Sequence, residues 1–233
     1  MDNEVGVCLC TVGIPELDRG YLNNWLLYHK SLGFDHIYLY IDENGWDVPT
    51  NIDYNSLTDD LAHVVLLDGS PTFTLDAYQD CYNHYRAEWD WMAFIDMTEW
   101  IVVKDERTIR TILTNKKYNQ FEAIRLNLMT FTDQEALAQD LNIVEMMNEG
   151  GDYEKSLGMA KSIVNCVTNG LKMGVYSPTR NGRAVTQCLP NLTPVQDKDE
   201  NHALKGVQVN GIDTSLMYVT SNMLEVQYAL QGK

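Results

Sequence analysis

The opening stretch, from Val5 to Asp42, constrains the fold most. Val5 to Val12 is a short apolar run closed by Gly13-Ile14-Pro15, backbone punctuation that ends a strand. Tyr21, Leu22, Trp25, Leu26, Tyr28, His29 and Leu32 then recur at helical spacing before Gly33, which describes one buried helix face with a glycine stop. His36 to Ile41 is a second apolar run, and it delivers Asp42-Glu43-Asn44-Gly45 at its end. Strand, helix and strand in this order form a β-α-β unit, for which parallel pairing and a right-handed crossover are expected.

The pattern continues with an apolar run from Ala62 to Leu67 closed by Asp68-Gly69, a helix from about Leu75 to Glu88, and a strand over Trp91 to Val103. Further on, Thr108 to Leu113 reads as a short helix and Ala123 to Met129 as a strand. Asp133 to Gly150 is a polar, Met-rich helix or excursion loop. Lys161 to Val167 and Gly174 to Tyr176 read as strands, Asn181-Gly182 as a turn, and Ser221 to Gln231 as a closing helix. There is no internal repeat and no linker composition, so one unit over residues 1–233 is expected, divided functionally near residue 104.

Composition narrows the partners. With 17 Lys and Arg against 33 Asp and Glu, the net charge is −16. Sequence-independent nucleic-acid binding and adhesion to anionic lipid are both disfavoured, because each needs clustered cations. No run approaches the roughly 20 apolar residues that cross a bilayer. Met1-Asp2-Asn3-Glu4 does not open a secretory signal, so a soluble, cytoplasmic protein is expected. The five cysteines have no zinc spacing and read as reduced core thiols.

Carboxylates at strand ends carry the chemistry. Asp42 follows Tyr40-Ile41, and Asp96 follows Phe94-Ile95. In open α/β sheets ligands enter the crevice beyond the carboxyl ends of the strands. If both strands are parallel neighbours, the two carboxylates face one crevice. Asp42 is then placed to accept hydrogen bonds from a base or ribose, and Asp96 to hold a divalent cation bridging phosphates. The competing structural roles are a turn residue at Asp42 and a strand stop at Asp96. His29 and His36 read as hydrogen-bonded packing residues, and Trp89, Trp91 and Trp100 as core or stacking aromatics.

The run Tyr21-Leu22-Asn23-Asn24-Trp25-Leu26-Leu27-Tyr28-His29-Lys30-Ser31-Leu32-Gly33-Phe34-Asp35-His36-Ile37-Tyr38 resembles the opening signature of A-type-fold (GT-A) glycosyltransferases related to families 2 and 92. Gln79-Asp80-Cys81-Tyr82-Asn83, Trp91 to Val103, Arg125-Leu126-Asn127, Phe131-Thr132-Asp133, Lys161-Ser162-Ile163-Val164 and Tyr218 to Tyr228 resemble later segments of that family. The resemblance implies an α/β fold with a mixed, mainly parallel central sheet flanked by helices. It implies transfer of a sugar from a nucleotide-diphospho-sugar to a glycan or other hydroxyl acceptor, as in polysaccharide or glycoconjugate synthesis. Residues 1–104 would bind the donor and 105–233 the acceptor. Val12 and Asp18 would line the nucleotide pocket. Gln79, Asp42, Asp96 and Lys161 would meet the donor, with Arg125 a further possible donor to phosphate. Asp96 and Glu99 would hold Mn²⁺ or Mg²⁺, and Asp133, or else Glu145, would be the general base.

The chain also departs from the pattern. Where the family has D-x-D-E, this chain has Asp96-Met97-Thr98-Glu99, so a neutral hydroxyl replaces one carboxylate. On an extended strand Asp96 and Thr98 face one way and Glu99 the other, so Glu99 can join Asp96 only if the backbone turns after Met97. Tyr176 and Met217 stand near the positions of late histidines, Asp18 replaces an early Glu, and Asn24 replaces the Glu before Trp25. A relative that binds a sugar nucleotide or glycan without turnover is the alternative. Another nucleotide enzyme is disfavoured, because no Gly-x-Gly-x-x-Gly or phosphate-loop motif follows the first strand.

Overall fold

Side chains along the central strands alternate between two separate cores, and this alternation sets the layers. In the computed structural model, residues 5–13, 19–42, 58, 60–69, 72–103, 107–131, 153–195 and 217–222 are described. Strand β1 (Val7–Gly13) sends Val7 and Leu9 to one side, and Cys8 and Cys10 to the other. Strand β2 (His36–Asp42) divides Ile37, Leu39 and Ile41 from Tyr38 and Tyr40, and β4 (Trp91–Phe94) divides Trp91 and Ala93 from Met92 and Phe94. A strand buried on both faces reads as an uninterrupted apolar run, which is why these segments show no polar alternation.

Each face is covered by its own helix. Leu22, Trp25 and Leu26 of α1 (Arg19–Ser31) close the first core. The second core is closed by Ala77, Tyr78, Cys81 and Tyr82 of α2 (Phe73–Tyr85), which runs into a 3₁₀ turn at Arg86–Glu88. Helix α3 (Ile109–Leu113), capped by the Thr108 hydroxyl, adds Ile109, Ile112 and Leu113 to the α1 side. All five cysteines are buried and free, as expected of reduced core thiols.

Strand β3 (His63–Leu67) lies outside β2, and the order β3-β2-β1-β4 is parallel throughout. Beyond β4 the sheet becomes mixed. Strand β7 (Tyr153–Asn165) pairs antiparallel with both β4 and β6 (Ala123–Phe131). Strand β12 (Met217–Asn222) runs parallel to β6 and antiparallel to β5 (Glu99–Val103), while β10 (Gln187–Cys188) and β11 (Pro194–Val195) form the far edge. A separate hairpin of β8 (Thr179–Arg180) and β9 (Arg183–Ala184) turns at Asn181 and Gly182, both at positive φ, the conformation an Asn-Gly hairpin turn requires. The expected mixed sheet, parallel through its first half and flanked by helices, is the one observed.

Three expectations change. The run Trp91 to Val103 is not one strand, because the chain turns over Ile95–Thr98 and divides it into β4 and β5. Gly174 to Tyr176 is irregular rather than strand. Ser221 and Asn222 end β12 rather than begin a helix, since pairing with β5 and β6 overrides a short helical pattern; residues 223–231 lie outside the described residues. So do all of residues 133–150.

Candidate active site

Parallel pairing of β1 with β2 and with β4 brings Asp42 and Asp96 to the same edge of the sheet. One strand separates them, a lateral distance of about 10 Å at ordinary strand spacing. The intervening strand ends in Gly13, where a Cβ would stand 2.7 Å from the Leu39 side chain and 3.1 Å from the Met97 sulfur. Glycine there lets Met97, itself buried, pack down over the end of β1. Asp42 lies against the start of the loop after β3, and a Cβ on Gly69 would come within 2.2 Å of both its carboxylate oxygens.

The turn after β4 builds the charged centre. The Glu99 amide donates to the Asp96 carbonyl at 2.9 Å, and the Asp96 amide donates back to Glu99 Oε2 at 2.8 Å. The Trp25 indole N–H of α1 holds the Glu99 carbonyl at 2.8 Å. The backbone therefore does turn after Met97, and Glu99 folds inward toward Asp96. Phe94 lies opposite Ser162 in the β4–β7 register, so β7 carries Lys161 level with the turn. Lys161 Nζ sits 3.0 Å from Asp96 Oδ2 and 3.1 Å from Glu99 Oε2. The other Asp96 oxygen accepts from the Tyr78 hydroxyl at 2.7 Å. The Tyr78 and Tyr176 rings lie about 6 Å from the ammonium, within range of a cation–π contact.

Burial grades these groups. The Lys161 side chain is 1% exposed and that of Glu99 6%, while that of Asp96 is 36% exposed. Burial pushes the Glu99 carboxyl up to about 7, against the pull of Lys161. Burial also opposes the charge on Lys161, but Glu99 and Asp96 outweigh it and raise its pKa. The Tyr78 phenol is held well above its ordinary value by burial and by the two carboxylates. At neutral pH the centre is thus an ammonium clamped between two acids, with Asp96 the open member.

Mn²⁺ or Mg²⁺ fits this arrangement poorly. A hard cation needs several accessible oxygens, and among the described residues no group of three His, Cys, Asp or Glu side chains comes together to supply them. The space between Asp96 and Glu99 is taken by Lys161, and residue 98 offers only a hydroxyl.

The remaining expected site residues are distributed as follows. Val12 is half-buried in β1, opposite Tyr40. Gln79 tethers the 171–173 segment, donating to Leu171 O at 3.2 Å and accepting from the Met173 amide at 2.9 Å. Arg125 is buried in β6, opposite Ser162. Asp18, Asp133 and Glu145 lie outside the described residues. His29 is fully buried and hydrogen-bonded, while His36 stacks on Trp89; Trp91 and Trp100 are core residues. Sequence reasoning missed Tyr78 and the ion pair between Lys161 and Glu99. Tyr78 shares helical spacing with Cys81 and Tyr82, a signal that marks a buried face without revealing that its hydroxyl reaches a carboxylate.

Carboxylates beyond the ends of parallel strands, with helices on both faces, define an α/β protein of the class that takes ligands at that edge. Residues 3–187 match the profile of Glycosyltransferase family 92, and the chain belongs to that family. No curated protein matches it. Solved structures similar to it include TarS of S. aureus, at 8% identity and a TM-score of 0.38 over 56% of this chain and 23% of that one. A 1–349 form of TarS in complex with UDP matches at 8% identity and 0.38, over 70% and 47% of the two chains. A protein named as a putative nucleotide-diphospho-sugar transferase, from Desulfovibrio desulfuricans G20, matches at 8% identity and a TM-score of 0.35, over 70% and 64% of the two chains. These scores are too low for residues to be matched between the structures. The chain spans less than two thirds of the length of each.

Proposed function

We propose that the chain transfers a sugar from a nucleotide-diphospho-sugar to a hydroxyl of a glycan or similar acceptor. Membership of family 92 carries this reading, and Asp42 and Asp96 flanking β1 at one sheet edge support it. Asp42, pinned beside Gly69, receives hydrogen bonds from the base or ribose. Asp96 faces the diphosphate and sugar, positioned by Tyr78 and Lys161. Asp133 takes the proton of the acceptor hydroxyl as that oxygen attacks the anomeric carbon. The bond from that carbon to the diphosphate breaks, and the nucleoside diphosphate leaves with its electron pair. Glu145 is the second candidate for the base.

Thermal-shift measurements on the intact chain against UDP, GDP and dTDP sugars test this proposal, followed by detection of released nucleotide. A ligand selective for the native form stabilises it by about 2.7 kcal/mol at a hundred times its Kd. One nucleotide class should raise the melting temperature and be turned over. If no class shifts it and none is hydrolysed, the proposal fails. A second reading, binding without turnover, is favoured by Thr98 in place of a carboxylate, and it predicts the shift without the release.

A further inference from the structure

We propose that this site works without a divalent cation, because Lys161 already occupies the place between Asp96 and Glu99 that such an ion would take. Three observations point the same way. First, the ammonium is within hydrogen-bond distance of both carboxylates, at 3.0 and 3.1 Å, and its side chain is almost wholly buried. An exposed lysine could swing aside for an incoming ion; this one is enclosed by the phenol rings of Tyr78 and Tyr176 and by strands β4 and β6 on either side of its own.

Second, three of the four carboxylate oxygens are already engaged. Asp96 accepts from Tyr78 on one oxygen and from Lys161 on the other. Glu99 Oε2 accepts from the Asp96 amide and contacts Lys161. A cation would have to displace these donors, and displacing Lys161 would leave a buried ammonium with no counter-charge. Third, the residue beside Asp96 on the open side of the turn is Thr98. It is half-buried like Asp96, while Met97 and Glu99 point inward. Among the described residues the open side therefore presents one carboxylate and one hydroxyl, too few hard oxygens to draw Mn²⁺ or Mg²⁺ out of water. The fixed ammonium is a permanent substitute: it holds the two acids together and orients Asp96 toward the crevice.

Two measurements decide the matter. In the first, Mn²⁺ is titrated into the intact chain and free Mn²⁺ is followed by electron paramagnetic resonance, with Asp96→Asn in parallel. The two isotherms should coincide, showing only the weak binding expected of an acidic surface. A one-to-one site with a Kd below about 1 mM, the weak end of biological oxygen-ligand sites, that disappears in Asp96→Asn overturns the inference. The second rests on the glycosyltransferase reading. The affinity of UDP, or of whichever of GDP and dTDP binds best, is measured by calorimetry in EDTA and in Mn²⁺. Less than a threefold difference is expected, and a larger gain with Mn²⁺ overturns the inference. Should no nucleotide bind in either condition, the functional reading falls, while the Mn²⁺ titration still decides whether the site takes a metal.

Discussion

Acidification should remove the stability contributed by buried His29. Its ring is fully buried between α1 and β5, tilted against Trp25 and stacked on Trp100. One ring nitrogen, Nδ1, lies 2.9 Å from the Trp25 carbonyl and donates to it. The other accepts from the Ile101 amide at 3.3 Å. Since a backbone amide can only donate, this network requires the neutral ring with its proton on Nδ1. Burial lowers the His29 pKa to about 3, against about 6.5 in an unfolded chain. Between these values the unfolded state binds the extra proton, so the stabilising contribution is present above about pH 6.5 and is lost progressively as the pH falls toward 3. At about pH 5, one and a half units below the unfolded pKa, the loss from this residue is ~2 kcal/mol. The assay is urea unfolding from about pH 7.5 to 5, comparing the natural chain with His29→Gln, which keeps a donor and an acceptor but does not titrate. Whatever the absolute stability of the variant, on going from about pH 7.5 to 5 the natural chain should lose about that much stability relative to it. Parallel declines would refute the reasoning.

Lys161→Met should cost roughly 3–5 kcal/mol at about pH 8, because it strips the counter-charge from buried Glu99. The raised pKa of Glu99 means that acidification, or a second change Glu99→Gln, should recover part of the loss in denaturant unfolding. Gly33→Ala should destabilise by about 1–2 kcal/mol, because Gly33 has φ of +96° and its Cβ would stand 2.9 Å from Thr108 Cβ; the melting temperature reads this directly. Gly69→Ala should displace the Asp42 carboxylate and weaken nucleotide affinity at least tenfold in calorimetry with little change in melting temperature, whereas unchanged affinity would remove Asp42 from the donor site.

Much of the first half was legible in the sequence for a physical reason. Strands buried on both faces must be apolar without interruption, and α1 must place Leu22, Trp25, Leu26 and His29 on one side. Both constraints are local and both are visible in residue order. The placement of Asp42 and Asp96 at one edge followed from parallel pairing, itself forced by the helical crossover. The break in Trp91 to Val103 was harder to see, because Ile95 and Met97 are as apolar as their neighbours. What turns the chain there is a pair of hydrogen bonds closed by the side chain and amide of Glu99. Lys161 was marked only by resemblance to a family segment. Its partners are 62 and 65 residues away in sequence, and only antiparallel pairing of β7 with β4 brings them together.

That pairing also explains why the departure at Thr98 can be tolerated. With a carboxylate at residue 98 the turn would carry three acids against a single ammonium, an excess of negative charge that a bound cation would relieve. With threonine there, Asp96 and Lys161 balance, and Glu99 needs only a raised pKa to settle beside them. On the metal-free proposal, Thr98 and the closed Lys161 clamp belong to one electrostatic solution. In this arrangement the turn stays folded by its own hydrogen bonds and by the Trp25 indole. On the metal-free proposal, the open oxygen edge of Asp96 is shaped before any ligand arrives.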